Sequence, residues 1–152
     1  MDMAKIISGG QTGVDRAALD AARVLGLQSG GWCPRGRRAE DGAIPADYPL
    51  RESLARGYAD RTLRNVSMAD ATLILCRGPL SGGTHLTASL ARRLGKPALV
   101  VDLERGPDAG RVLAWAREHR VEVLNVAGPR ESRCPGIQRQ ATGFLLQVLG
   151  NL

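Results

Sequence analysis

The chain has 152 residues, a formal net charge of +6 and a composition that is 43% apolar, 24% charged and only 3% aromatic. That length suits one domain and leaves little room for two, and its Leu, Ile and Val content exceeds that of a disordered chain. No apolar run approaches the roughly 20 residues that span a bilayer, and Met1-Asp2-Met3-Ala4-Lys5 leads into a short apolar run without a signal-peptide h-region, so a cytoplasmic protein with no membrane partner is expected.

Short apolar runs alternate with helix-like stretches, the pattern of β-α units on a mostly parallel sheet. The first strand is expected at Ala4 to Ile7, and its helix from about Val14 to Leu25 with Gly26 as the C-terminal stop. Ala17, Ala18, Ala21 and Ala22 give that helix small residues for a close approach to the sheet. A short strand around Gly30 to Cys33 enters a long polar loop through Pro49, and Leu50 to Met68 reads as helical or irregular. A strand at Ala71 to Cys76 leads through a glycine-rich turn to a helix from Thr84 to Leu94. The strand Ala98 to Asp102 follows, then a helix from Asp108 to His119, a strand from Val121 to Val126 and a last helix ending near Leu149. Residues 1–152 form one three-layer α/β domain on this reading.

Two strand-to-helix turns share a pattern, Ser8-Gly9-Gly10-Gln11-Thr12-Gly13 and Ser81-Gly82-Gly83-Thr84. Glycines there let an anion approach backbone N–H groups, and the helix N-terminus adds about half a positive charge. Together the turns are candidates to hold a phosphate or diphosphate between them. Neither fits the Walker pattern or the usual dinucleotide GxGxxG. Thr12 and Asp15 stand three apart, a capping-box spacing that gives Asp15 a helix-stabilising alternative to chemistry. In the long loop, Arg35, Arg37 and Arg38 offer fork-shaped donors to an oxyanion, with Glu40 and Asp41 as internal partners in the alternative. A later loop adds Arg130, Arg133 and Cys134, and the pair Arg61-Thr62 is polar inside a mostly helical segment.

Cys33, Cys76 and Cys134 are too scattered for a disulfide framework, and two histidines make a His-rich zinc site improbable. No conventional metal site is expected. Arginine supplies 19 of the 21 cations, spread along the chain and not interleaved with the five aromatics, so nucleic acid is an improbable partner.

The segments SGGQTGVDRAALDAA, GWCPRGRRAEDG, RTLRNV, ADATLIL, GPLSGGTHLT, GKPALVVDL and LNVAGPRES resemble, in order and spacing, the molybdenum carrier family, itself similar to the YpsA proteins and the cytokinin-activating phosphoribohydrolases. The resemblance implies a Rossmann-like fold, homo-oligomeric assembly and a small phosphorylated ligand, either the molybdenum cofactor (molybdopterin) or a nucleotide. It implies molybdoenzymes or cofactor-synthesis proteins as partners. Gly9, Gly10, Gln11, Thr12, Gly13, Ser81, Gly82, Gly83 and Thr84 are the implied phosphate-binding turns, with Arg35, Arg37, Arg38, Arg61 and Thr62 as further ligand-binding residues. The phosphoribohydrolases carry a glutamate in PGGxGTxxE where this chain has Thr87. A binding or carrier protein is therefore expected, with cleavage of a nucleoside monophosphate as the alternative.

Overall fold

Each stretch of continuous apolar sequence becomes a parallel strand, and each amphipathic stretch a helix laid across it. The computed structural model describes residues 3–55 and 57–152. Met1 and Asp2, in the segment leading to the first strand, and Arg56, within the stretch expected to be helical or irregular, lie outside the described residues. In chain order the elements are β1 (Lys5–Ile7), α1 (Val14–Val24), β2 (Gln28–Gly30), β3 (Trp32–Cys33), β4 (Arg38–Ala39), β5 (Gly42–Ala43), β6 (Arg51–Glu52), α2 (Tyr58–Met68), β7 (Ala71–Cys76), α3 (Gly82–Arg93), β8 (Ala98–Asp102), α4 (Ala109–Glu118), β9 (Val123–Ala127) and α5 (Ile137–Leu149).

Five strands pair in the order β2-β1-β9-β7-β8, all parallel. All six residues of β7 are buried, as expected of a strand covered on both faces. Successive side chains alternate between faces. Ile6, Leu73, Leu75, Leu124 and Val126 join the apolar core beneath α1, α4 and α5, while Ile7, Thr72, Ile74 and Asn125 point to the opposite side, where α2 and α3 pack on one another. The four alanines of α1 are fully buried and bring that helix close against α5. The result is a three-layer, Rossmann-like α/β architecture.

The connections create a crevice. From β1 the chain moves through α1 to β2 on one side, and from β7 it moves through α3 to β8 on the other. Strand β9 returns between them. The loops after β1 and β7 therefore diverge above the C-terminal end of β9, the position where open parallel sheets bind ligands.

The expected strand around Gly30 to Cys33 is divided. Gly31 has φ +127°, and a Cβ on it would overlap the backbone of Ser8. This close approach turns Trp32 and Cys33 off the main sheet to pair with β6. The polar stretch that follows contains the antiparallel β4–β5 hairpin, so residues 31–55 form an organised excursion.

Candidate functional site

The first glycine turn is closed by the chain itself. Gly9, Gly10, Gln11, Thr12 and Gly13 are all buried. The amide of Gly10 donates to Ser8 Oγ (3.3 Å), that of Thr12 to Gln11 Oε1 (3.1 Å) and that of Gly13 to Gln138 Oε1 (3.0 Å). Val14 donates to the Pro129 carbonyl (3.2 Å). The anion at this helix N-terminus is Asp15, which is 4% exposed. Burial pushes its carboxyl above the ordinary aspartate value, against the pull of the Arg61 guanidinium and of backbone hydrogen bonds at Gly128 and Gln11. Arg61 Nη1 donates to Asp15 Oδ2 at 3.0 Å.

Gly9 is the slot for that arginine: a Cβ there would overlap the Arg61 guanidinium. Arg61 Nε is sealed from solvent without an acceptor, a deficit that costs about 1–3 kcal/mol. Ionic pairing in a partly dehydrated site, held at the expense of an unpaired donor, is the kind of arrangement found where function sets the geometry.

The excursion roofs this turn. A side chain on Gly10 would meet Leu50 and Ile44, and the Gly10 carbonyl accepts from Arg16 Nε (3.3 Å) and Nη2 (3.1 Å). Arg16 also forms an ion pair with Asp41, and its hydrogen bond holds that carboxyl below the usual aspartate value. Gln11 Oε1 accepts from the Glu40 amide (2.9 Å), and the Glu40 carboxylate accepts from the Ser132 amide (3.3 Å). Arg37, a non-glycine residue at φ 53°, donates from its guanidinium to the carbonyls of Ile44 (3.1 Å), Leu50 (3.3 Å), Pro45 (2.7 Å) and Tyr48 (2.9 Å). The Arg38 guanidinium lies 5.8 Å from the centre of the Tyr58 ring. Arg35 is exposed. Cys33 is fully buried, and that burial pushes its thiol up.

The second glycine turn differs. Ser81 caps α3 without a side-chain hydrogen bond to the helix, and the first turn of α3 has no acidic residue. The Thr84 and His85 amides turn back to the Ser81 carbonyl, while among the described residues no acceptor meets the amides of Gly82 and Gly83. Both glycines are exposed, with open space where a Cβ would stand. Arg133 Nη2 donates to Ser81 Oγ at 2.9 Å, which brings a guanidinium to the start of the helix.

These parts surround a cavity of about 620 Å³, within the range of small-molecule sites. Of the sequence candidates, Gln11, Arg61, Thr62, Ser81, Gly82, Gly83 and Thr84 line it; Gly9, Gly10, Thr12, Gly13, Arg35, Arg37 and Arg38 do not. The lining adds Asp15, Tyr58, Asn65, Arg77, Asn125, Arg130 and Arg133, besides Cys76 and Cys134. Thr87, at the glutamate position of the phosphoribohydrolase pattern, spends its hydroxyl on the Gly83 carbonyl (2.9 Å). The carboxylate that does reach the cavity is Asp15, from the other turn. Asn125 had a sequence signal, a lone amide in the apolar run VLNVA. Among the described residues no group of three or more His, Cys, Asp or Glu side chains is placed to hold a metal ion.

The model of the circularly permutated YpsA SLOG family matches residues 6–149. A 1.45 Å crystal structure named as a "Putative molybdenum carrier protein" from Syntrophus aciditrophicus SB is 43% identical to the chain. The match covers 96% of this chain and 94% of that one, with a TM-score of 0.90. No curated protein matches. With its β-α order, its crevice above β9 and a family match over nearly its whole length, the chain belongs to the circularly permutated YpsA SLOG family.

Proposed function

We propose that the cavity binds a phosphorylated heterocycle, a nucleotide or a pterin phosphate, with its phosphate at the N-terminus of α3. The observation that carries this reading is the pair of Gly82 and Gly83 amides without an acceptor among the described residues, at the rim of a cavity that Arg130 and Arg133 also line. A helix start of this kind contributes roughly half a positive charge, its open glycines admit an oxyanion to the backbone, and guanidinium forks match phosphate geometry. Ser81 and Thr84 add hydroxyl groups, and Gln11, Arg61 and Thr62 form the facing wall.

In this proposal Gly9, Gly10, Thr12 and Gly13 shape that wall from behind, and Arg37 holds the roof above it. The 43% identical protein is named as a molybdenum carrier, and the family resemblance brings forward molybdenum cofactor as the cargo, recognised through its phosphate and ring by the groups above. Homo-oligomeric assembly and delivery to a molybdoenzyme belong to the same proposal through the family resemblance. Mass spectrometry of protein purified without denaturation is expected to find a pterin or nucleotide. Calorimetry in which inorganic phosphate, nucleoside monophosphates and molybdopterin all fail to bind the ligand-free protein overturns the reading.

Asp15 favours a second reading, cleavage of the N-glycosidic bond of a nucleoside monophosphate. A carboxyl whose proton is retained to higher pH by burial, beside a guanidinium and inside the ligand cavity, is suited to pass a proton to a leaving base or to take one from water. Incubation with AMP is then expected to release ribose 5-phosphate, and Asp15→Asn to lower the rate by about 100-fold or more. No release above a blank removes this reading and leaves the carrier proposal standing.

A further inference from the structure

Strand β9 runs between β1 and β7 in the middle of the sheet, where both faces are covered. Leu124 and Val126 enter the apolar core on one face. Between them Asn125 turns to the other face, level with Ile7 on β1 and Thr72 on β7. Ile7 and Ile74 on that face are fully buried, so packing alone calls for an aliphatic residue at this position. An amide buried there is costly unless its hydrogen-bonding capacity is used.

Asn125 is 3% exposed, and among the described residues its side chain makes one hydrogen bond, from Nδ2 to Thr72 Oγ1 at 3.3 Å. That is long for an N–H···O contact, and it leaves Oδ1 and the second N–H of the amide unused. The contrast with Asn65 across the cavity is informative. Asn65 Oδ1 accepts from the Trp32 amide (2.8 Å) and its Nδ2 donates to the Trp32 carbonyl (3.0 Å), so both ends are spent on structure. Thr62 and Thr87 likewise donate to carbonyls of their own helices, Tyr58 (2.8 Å) and Gly83 (2.9 Å). Arg61 Nε is the one unpaired side-chain polar atom sealed from solvent among the described residues. The free end of Asn125 therefore reaches the cavity, which the residue lines.

We infer that Asn125 reads the ring of the ligand: its free amide edge pairs with a heterocycle that presents a hydrogen-bond donor beside an acceptor, as aminopurines and pterins do, while the phosphate stays at the rim. This rests on the cavity being the ligand site proposed above. Asn125 is level with Thr72, four residues before the end of β7 at Cys76, which sets it roughly 13 Å below the end of the strand that leads into the α3 turn. A lone oxyanion at the rim does not span that depth, whereas a phosphate joined to a ring does. Thr72 is then the positioning residue, holding one end of the amide so that the other is presented in a fixed direction.

The test is calorimetry of AMP, GMP and ribose 5-phosphate, the last carrying the phosphate and sugar without the ring, against the wild-type chain, Asn125→Leu, Asn125→Ala and Thr72→Val. Thermal melts establish that each variant is folded. Both Asn125 variants are expected to weaken the better-bound nucleotide about tenfold and to leave ribose 5-phosphate within about twofold. Thr72→Val, which leaves the amide in place and untethered, is expected to give a smaller loss of the same kind, and it keeps the test open if either Asn125 variant fails to fold. Nucleotide affinity unchanged in every folded variant, or ribose 5-phosphate binding as tightly as both nucleotides to the wild-type chain, overturns the role of Asn125 with the ligand site intact. A wild-type chain that binds none of the three probes overturns the proposed site itself, and this inference with it.

Discussion

At the scale of single residues the chemistry gathers around Asp15. A buried carboxyl whose native pKa lies above its unfolded value favours the fold while it keeps its proton, so its contribution is full below the ordinary value of 3.8 and is lost as pH rises through the native value. Asp41, with its value lowered by Arg16, works in the opposite sense and contributes above its unfolded pKa. Asp15→Asn removes the first dependence and leaves the second. The difference in melting temperature, variant minus wild type, is therefore expected to become more positive as pH rises from 3.8; a constant difference across that range contradicts the burial of the charge. Gly9 shows how a residue's role escapes the sequence. Its lack of a side chain reads as an opening for an anion, yet the guest it accommodates is Arg61, which arrives from a helix nearly fifty residues away.

At the scale of elements the question is which helix start is left without an anion. Helix α1 carries Asp15 in its first turn. Asp108 accepts from the Gly110 and Arg111 amides at α4 (2.9 and 3.3 Å), and Glu131 accepts from Gly136 and Gln138 at α5 (2.7 and 3.0 Å). Helix α2 carries Asp60 in its first turn. Helix α3 has no acid in its own first turn and instead receives Arg133. Gly83→Val is expected to leave the melting temperature nearly unchanged, since nothing lies within 4 Å of the added Cβ, and to weaken phosphate binding at least about tenfold by shielding the amides, about 1.4 kcal/mol. Equal affinity in the two proteins would place the anion elsewhere.

The element boundaries were largely legible. The spans expected for β7 and β8 match those observed, because continuous apolar runs of five or six residues between turn signals leave few alternatives. The two Ser-Gly-Gly turns looked equivalent, although an aspartate follows the first within its helix and none follows the second; the first is closed by acceptors on Ser8, Gln11 and the distant Gln138, which the turn's own sequence does not announce. The partners of Arg37 were not legible at all. Backbone carbonyls carry no residue signature, so a guanidinium spent on four of them looks in the sequence like one offered to a ligand.

At the scale of the whole molecule the sheet order explains why distant segments form one cavity. Residues from the β1–α1 turn, α2, the β7–α3 turn and the β9–α5 loop all reach the crevice above β9, and the reversal in strand order of the parallel sheet is what opens that crevice to all four. The basic composition is also resolved at this scale. Several of the cations work inside the fold: Arg16 clasps Asp41 and the Gly10 carbonyl, and Arg77 ties the end of β7 to Gln140 (2.8 Å) and the Pro135 carbonyl (2.8 Å).

One side chain, Arg37, gathers carbonyls from four positions between residues 44 and 50. Fastenings that share a hub let go together, so the amides of this stretch are expected to exchange with solvent deuterium at a common opening rate, as one cooperative unit. Lysine cannot reproduce the fork: Arg37→Lys should lower the opening free energy by about 1–2 kcal/mol and scatter those rates into individual ones, whereas amides in β7 keep their protection. Were the rates already unequal in the wild-type chain, the hub would be one tie among several.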